Sequence, residues 1–107
     1  MTSATTDIVI VLTTLGAAAD ADVFARTLVE ERLAACVNVL PPMTSTYRWK
    51  GAVERETERQ LIIKTTRGRV DALEARVREL HPYETPEFLV VAVTAGGDAY
   101  VRWVAES

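Results

Sequence analysis

Residues 47–66 read Tyr-Arg-Trp-Lys-Gly-Ala-Val-Glu-Arg-Glu-Thr-Glu-Arg-Gln-Leu-Ile-Ile-Lys-Thr-Thr, and this stretch decides the fold. Lys50-Gly51 is a tight-turn pair between two strand-like arms, Cys36 to Trp49 and Ala52 to Thr66. Each arm is more than twice the usual strand of about five or six residues. Pro41-Pro42 interrupts the first arm where an inner ladder needs donors, so a bend or bulge is expected there. The outer half mixes Tyr47, Trp49 and Val53 with Arg48, Lys50, Glu54, Arg55, Glu56, Glu58 and Arg59, more than one small helix-backed sheet can cover. A long exposed hairpin invites pairing with another chain, and the expectation is a closed homo-oligomer built through it.

The flanking sequence supplies the remaining elements. Asp7 to Thr14 is an apolar, β-branched run without polar alternation, which predicts a central strand covered on both faces. Asp20 caps a predicted helix through about Arg32, with Val23, Phe24, Thr27 and Leu28 sharing a face. Thr66 is the expected cap of a second helix to Leu80, with Val70, Leu73, Val77 and Leu80 inward. The continuous apolar run Phe88 to Val93 predicts a buried strand, and Gly96-Gly97 followed by Asp98 predicts a closing helix carrying Tyr100, Val101, Trp103 and Val104. The order β-α-β-β-α-β plus a terminal helix is the ferredoxin-like arrangement of an α+β fold, an antiparallel sheet with two helices on one face.

The 107 residues fit one domain, expected over residues 7–107 behind a flexible N-terminus of residues 1–6. With 49% hydrophobic and 25% charged residues the composition is that of a globular protein. A net charge of -3, from 12 basic and 15 acidic residues interspersed, gives no general attraction to nucleic acid or anionic lipid. The apolar stretches are strand-length and the N-terminus lacks a signal core, so neither membrane insertion nor export is expected. The single cysteine, Cys36, cannot form an intrachain disulfide; with its apolar neighbours it is expected to be buried, in a cytoplasmic protein.

The densest chemistry lies in His81-Pro-Tyr-Glu-Thr-Pro-Glu87, which holds the only histidine. Its prolines stiffen the loop and bias His81 and Thr85 toward extended backbone. His81 reads either as a metal ligand or general base, or as a structural loop histidine. Cys36 reads as a copper ligand or nucleophile, or as a small apolar residue after a helix C-terminus, where the dipole opposes thiolate formation. Lys64, the lone charge of Leu61-Ile-Ile-Lys64, reads as an anion contact or an outward strand lysine. Glu54, Glu56 and Glu58 share one side of a strand and resemble a carboxylate comb for a hard cation, although Arg48, Arg55 and Arg59 favour inter-chain ion pairing. Tyr47, Trp49, Tyr100 and Trp103 read as ligand-stacking residues or as core and interface anchors. There is no Gly-rich phosphate loop, nucleophile elbow, paired metal-binding histidines or ribonucleoprotein signature, so no enzyme chemistry is expected.

Five segments carry a family resemblance: Glu31-Arg-Leu-Ala-Ala-Cys-Val-Asn38, Ser45-Thr-Tyr-Arg-Trp-Lys-Gly51, Leu61-Ile-Ile-Lys-Thr65, His81 to Glu87 and Tyr100-Val-Arg-Trp103. In that order, over nearly the whole chain, they resemble the CutA divalent-cation tolerance proteins. The resemblance implies a ferredoxin-like subunit in a tight trimer, similar in architecture to the PII signalling proteins. It also implies an association with tolerance to copper and other divalent cations, and no catalytic reaction. Some members place a cysteine where this chain has Thr13, and a histidine where it has Leu80.

Two functions are therefore expected to compete. In the first, a cytoplasmic homotrimer binds a copper or other divalent metal ion, or a small anion, in inter-subunit clefts. Those clefts are lined by Lys64, Tyr83, Glu84 and Trp49, with His81 and Cys36 as metal ligands. In the second, a PII-like signalling or scaffold trimer binds a small anion or a protein partner and has no direct metal role.

Overall fold

The computed structural model describes residues 6–107. The expected flexible N-terminus lies outside the described residues except for Thr6, whose hydroxyl donates to the Val93 carbonyl and accepts from the Ile8 N–H. The elements in chain order are β1 (Ile8–Gly16), α1 (Ala21–Glu30), β2 (Cys36–Val39), β3 (Met43–Trp49), β4 (Ala52–Thr66), α2 (Val70–Leu80), β5 (Leu89–Ala92) and α3 (Asp98–Glu106). The sheet runs β2-β4-β1-β5, with β3 continuing alongside β4. Every pairing is antiparallel, and β1 pairs with β4 from Ile8 opposite Thr66 to Gly16 opposite Glu58. This is the ferredoxin-like α+β arrangement expected from the sequence, with the apolar β1 at its centre.

Alternation along β1 and β4 sends Val9, Val11, Leu15, Leu61 and Ile63 to one face, where they meet Phe24 and Leu28 of α1 and Leu73 and Val77 of α2. Each fully buried leucine in this layer contributes about 2 kcal/mol. Ile8 points to the opposite face and packs with Ala35 and Val104 under α3. Among the described residues α3 covers one end of that second face and Tyr83 covers Thr14 and Glu58 at the other, so between them Ile10, Leu12, Ile62 and Lys64 stay half-exposed. Among the described residues, no helix is long and apolar enough to cross a membrane.

Local chemistry sets the element ends. The Asp20 carboxylate accepts the Val23 N–H at 3.1 Å and caps α1. At its other end the Leu33 N–H reaches Leu28 O and the Arg32 N–H reaches Val29 O, with Arg32 at φ 59. That is a Schellman motif with arginine where glycine is favoured. Arg76 of α2 donates two 2.9 Å hydrogen bonds to the Glu31 carboxylate, tying the helices together and holding that carboxyl below its usual pKa. At the hairpin tip Lys50 and Gly51 take φ 49 and 83, the pair of left-handed residues a two-residue turn between twisted strands requires. The hairpin makes the subunit elongated, 46 × 26 × 24 Å.

Five expectations are corrected. The first hairpin arm is two strands, because Pro41 and Pro42 cannot donate to the ladder and the chain breaks between Val39 and Met43. Thr66 caps nothing with its side chain; a 3-10 turn, Arg67–Arg69, precedes α2. Val23 is 59% exposed, since α1 is covered on a narrower stripe centred on Phe24 and Leu28. The apolar β5 is not buried: as an edge strand paired only to β1, it leaves Leu89, Val90 and Val91 exposed. Cys36 is half-exposed, because β2 is the other edge.

Candidate functional site

The loop from His81 to Phe88 leaves α2, crosses the end of β1 and enters β5. His81 has extended backbone, φ -84 and ψ 132, as the proline after it demands. Its ring is buried, 7% exposed, edge-on to Phe24 of α1 and to Tyr83. Nε2 lies 2.6 Å from the Thr14 carbonyl, which can only accept, so Nε2 carries the proton. Nδ1 accepts the Tyr83 N–H at 3.1 Å. The imidazole is thus neutral and both nitrogens are committed.

With its backbone held this way, Tyr83 passes over Gly16 and donates its phenol proton to Glu58 at 2.9 Å. A Cβ on Gly16 would lie 2.9 Å from that phenol oxygen, so glycine keeps the path open. Burial and the Glu58 carboxylate push the Tyr83 phenol up to about 12. Tyr47 on the hairpin donates to Glu56 at 2.8 Å, and that bond raises its phenol to about 12 as well. Gln60 bridges the Thr13 carbonyl at 2.7 Å and Glu87 at 2.9 Å.

These groups border a groove of about 850 Å³ between the loop and the uncovered face of the hairpin. Its walls include Tyr47, Trp49, Tyr83, Gln60 and five carboxylates, Glu54, Glu56, Glu58, Glu84 and Glu87, with no basic side chain. A smaller pocket of about 370 Å³, lined by Glu74, Arg78, Tyr83 and Phe88, lies on the α2 side of the loop.

The expected site residues are thereby divided. Trp49, Tyr83 and Glu84 line the groove together, and His81 lies buried behind the loop. Lys64 and Cys36 are cross-strand partners elsewhere on the sheet, with the Lys64 ammonium 5.7 Å from the centre of the Tyr100 ring. Lys64 is opposite Ile10 and His81 contacts Thr14, four residues further along β1, a separation of about 13 Å. Among the described residues no three His, Cys, Asp or Glu side chains converge as a metal site. Gln60 carries no sequence signal of its own, and Glu87 enters only as the last residue of the His81 to Glu87 loop. Glu58 was, as part of the glutamate alternation, which gave no hint that it alone is buried, at 7% exposure.

A single antiparallel sheet of order β2-β4-β1-β5 with two helices on one face, a third on the other and a projecting hairpin defines the PII-like class of ferredoxin-fold proteins. The chain belongs to the family described as CutA1 divalent ion tolerance protein, whose model matches residues 9–107. It is 43% identical over 98 residues to the divalent-cation tolerance protein CutA of Thermus thermophilus, covering 92% of this chain and 95% of that one. The solved structure of the Thermus thermophilus protein has a TM-score of 0.89 at 42% identity, covering 92% and 96% of the two chains. The apo structure of the PII-like protein CutA from Nostoc has a TM-score of 0.84 at 41% identity over 92% and 94%. The chain spans about half, 54%, of the Xenopus laevis CutA homolog, with 49% identity over 82 residues and 77% of this chain. The family description names divalent-ion tolerance and no reaction.

Proposed function

We propose that the protein works in the cytoplasm as a homotrimer whose acidic grooves hold hard divalent cations at the subunit boundaries. The observation that carries the cation reading is the groove itself: five carboxylates and no basic side chain line it. Oxygen-only lining suits a hard divalent ion. For copper the preferred donors are imidazole and thiolate, but His81 has no free nitrogen and Cys36 lies elsewhere on the sheet. A small anion is disfavoured in the groove because Lys64, the expected anion contact, is outside it.

The trimer is supported by what one chain leaves uncovered. Leu89, Val90 and Val91 are 56%, 44% and 46% exposed along an unpaired edge. The hairpin is also segregated by face: Glu54, Glu56 and Glu58 alternate with Arg55 and Arg59, and Arg48, opposite Val53, is on the arginine side. Unlike faces suit head-to-tail pairing, which forms a closed ring when the rotation between neighbours closes. A neighbouring chain can then complete coordination that one subunit lacks.

Calorimetric titration of metal-free protein with magnesium, manganese, zinc and copper tests the site. Binding weakened roughly tenfold or more by Glu54→Gln with Glu84→Gln supports it, on the loss of charged oxygen ligands; an unchanged isotherm refutes it. Light scattering at three times the 11.8 kDa chain mass supports the trimer, and a monomer at micromolar concentration refutes it. The second reading, a PII-like signalling or scaffold trimer without direct metal binding, is favoured by the absence of a converged ligand set among the described residues. No heat with any metal, alongside an intact trimer, would select it.

A further inference from the structure

The His81 ring occupies an unusual station in the loop. An aspartate or asparagine oxygen that accepts the N–H two residues ahead forms an Asx turn. Here the acceptor is Nδ1 of His81 and the donor is the N–H of Tyr83, two residues on, across Pro82. The turn is therefore closed by an acceptor that can take up a proton.

We propose that His81 is a titratable turn lock: neutral, it holds the loop against the sheet; protonated, it releases the loop and opens the groove. Protonation adds a hydrogen to Nδ1, which then faces the Tyr83 N–H donor to donor at 3.1 Å. The Nε2–H bond to the Thr14 carbonyl, 2.6 Å, survives in either state and keeps the ring anchored. Only the loop side of the ring is switched. Freeing the Tyr83 backbone frees its phenol from Glu58, and Tyr83 through Glu87 form one wall of the groove.

The surroundings confine this event to His81. β1 presents the Thr14 carbonyl, α1 the apolar Phe24 ring, and α2 the Val77 carbonyl, which accepts the His81 backbone N–H. The loop presents Tyr83, with Glu58 of β4 behind its phenol. Tyr83 and Glu58 are the ionisable groups in these contacts. The phenol, pushed up to about 12, keeps its proton and donates to Glu58, so it does not compete for the lock. The lock works whatever the groove holds.

Nitrogen-15 NMR of the intact protein from about pH 8 to about pH 5 follows both partners across the range in which histidine titrates. The His81 ring should show a protonated Nε2 and an acceptor Nδ1 at the upper end. As Nδ1 takes up its proton, exchange of the Tyr83 amide, corrected for its intrinsic pH dependence, should quicken roughly tenfold, as for loss of about one hydrogen bond. Two variants divide the roles. His81→Asn retains a turn acceptor that does not titrate, so its Tyr83 protection should be independent of pH. His81→Gln supplies an amide donor for Thr14 without the turn acceptor, so exchange should be fast throughout. Protection of Tyr83 that persists after the wild-type ring has protonated would overturn the lock, as would a ring that stays neutral over the range in which the fold survives.

Discussion

Tyr83 and Glu58 meet 2.9 Å apart, joining a loop behind the second helix to the long strand of the hairpin. Glu58 is 7% exposed, and the Tyr83 phenol is the partner that satisfies it. A carboxylate that deep requires a donor, and a phenol can supply one only while it keeps its proton.

Alkaline pH should therefore loosen this corner of the fold. The Tyr83 phenol is raised to about 12 in the folded protein against an ordinary 10.0. A raised folded pKa means that its stabilisation is fully present below about pH 10 and is lost as pH rises toward about 12. Denaturant unfolding at a series of alkaline pH values should show that decline. Tyr83→Phe should reduce the decline and lower stability at neutral pH by about 1–3 kcal/mol, because Glu58 is left without its donor.

Gly16→Ala should act through the same pair. The new methyl would sit 2.9 Å from the phenol oxygen, and the ring must shift to admit it. The expected loss is about 1–2 kcal/mol, with the tyrosine titrating closer to its ordinary value. Combined with Tyr83→Phe the losses should be less than additive, since both remove one interaction. Full additivity in chemical denaturation would mean that the crowding lies elsewhere.

Two positions in the left-handed region give opposite expectations. Arg32, at φ 59, closes the Schellman motif at a strain that glycine does not bear, so Arg32→Gly should raise stability by about 1 kcal/mol. Gly51, at φ 83 in the hairpin turn, should lose about 1 kcal/mol on change to alanine although nothing lies within 4 Å of the added Cβ. Thermal unfolding of both variants separates backbone strain from packing.

Much of the fold was legible because the signals are local. Asp20 caps its helix, Lys50-Gly51 turns the hairpin, and the spacing of Leu73 and Val77 faces the sheet as expected. Pro41 and Pro42 gave the break in the first arm, although not that it divides the arm into separate strands. The exposure of β5 escapes the sequence for a specific reason. An apolar run reports that a surface is covered somewhere, without saying whether the cover comes from the same chain.

The candidate site was half legible. Trp49, Tyr83 and Glu84 do line one groove, but Lys64 does not join them. Lys64 shares the face of Glu58 by alternation, yet six residues along a strand is about 20 Å. Side-chain type suggests chemistry; register sets distance.

By itself the sequence determined the alternation of helices with the main strands, the Lys50-Gly51 turn, the Asp20 cap, the stiff loop and the family, since each rests on short-range backbone preference or on motifs read in line. Only the tertiary structure decided what His81 is for. Its two partners are Tyr83, two residues away, and Thr14, sixty-seven residues away. The first could be guessed from proximity. The second exists because the antiparallel register carries the end of β1 beneath the loop, committing both nitrogens of a ring that sequence alone left free to bind a metal.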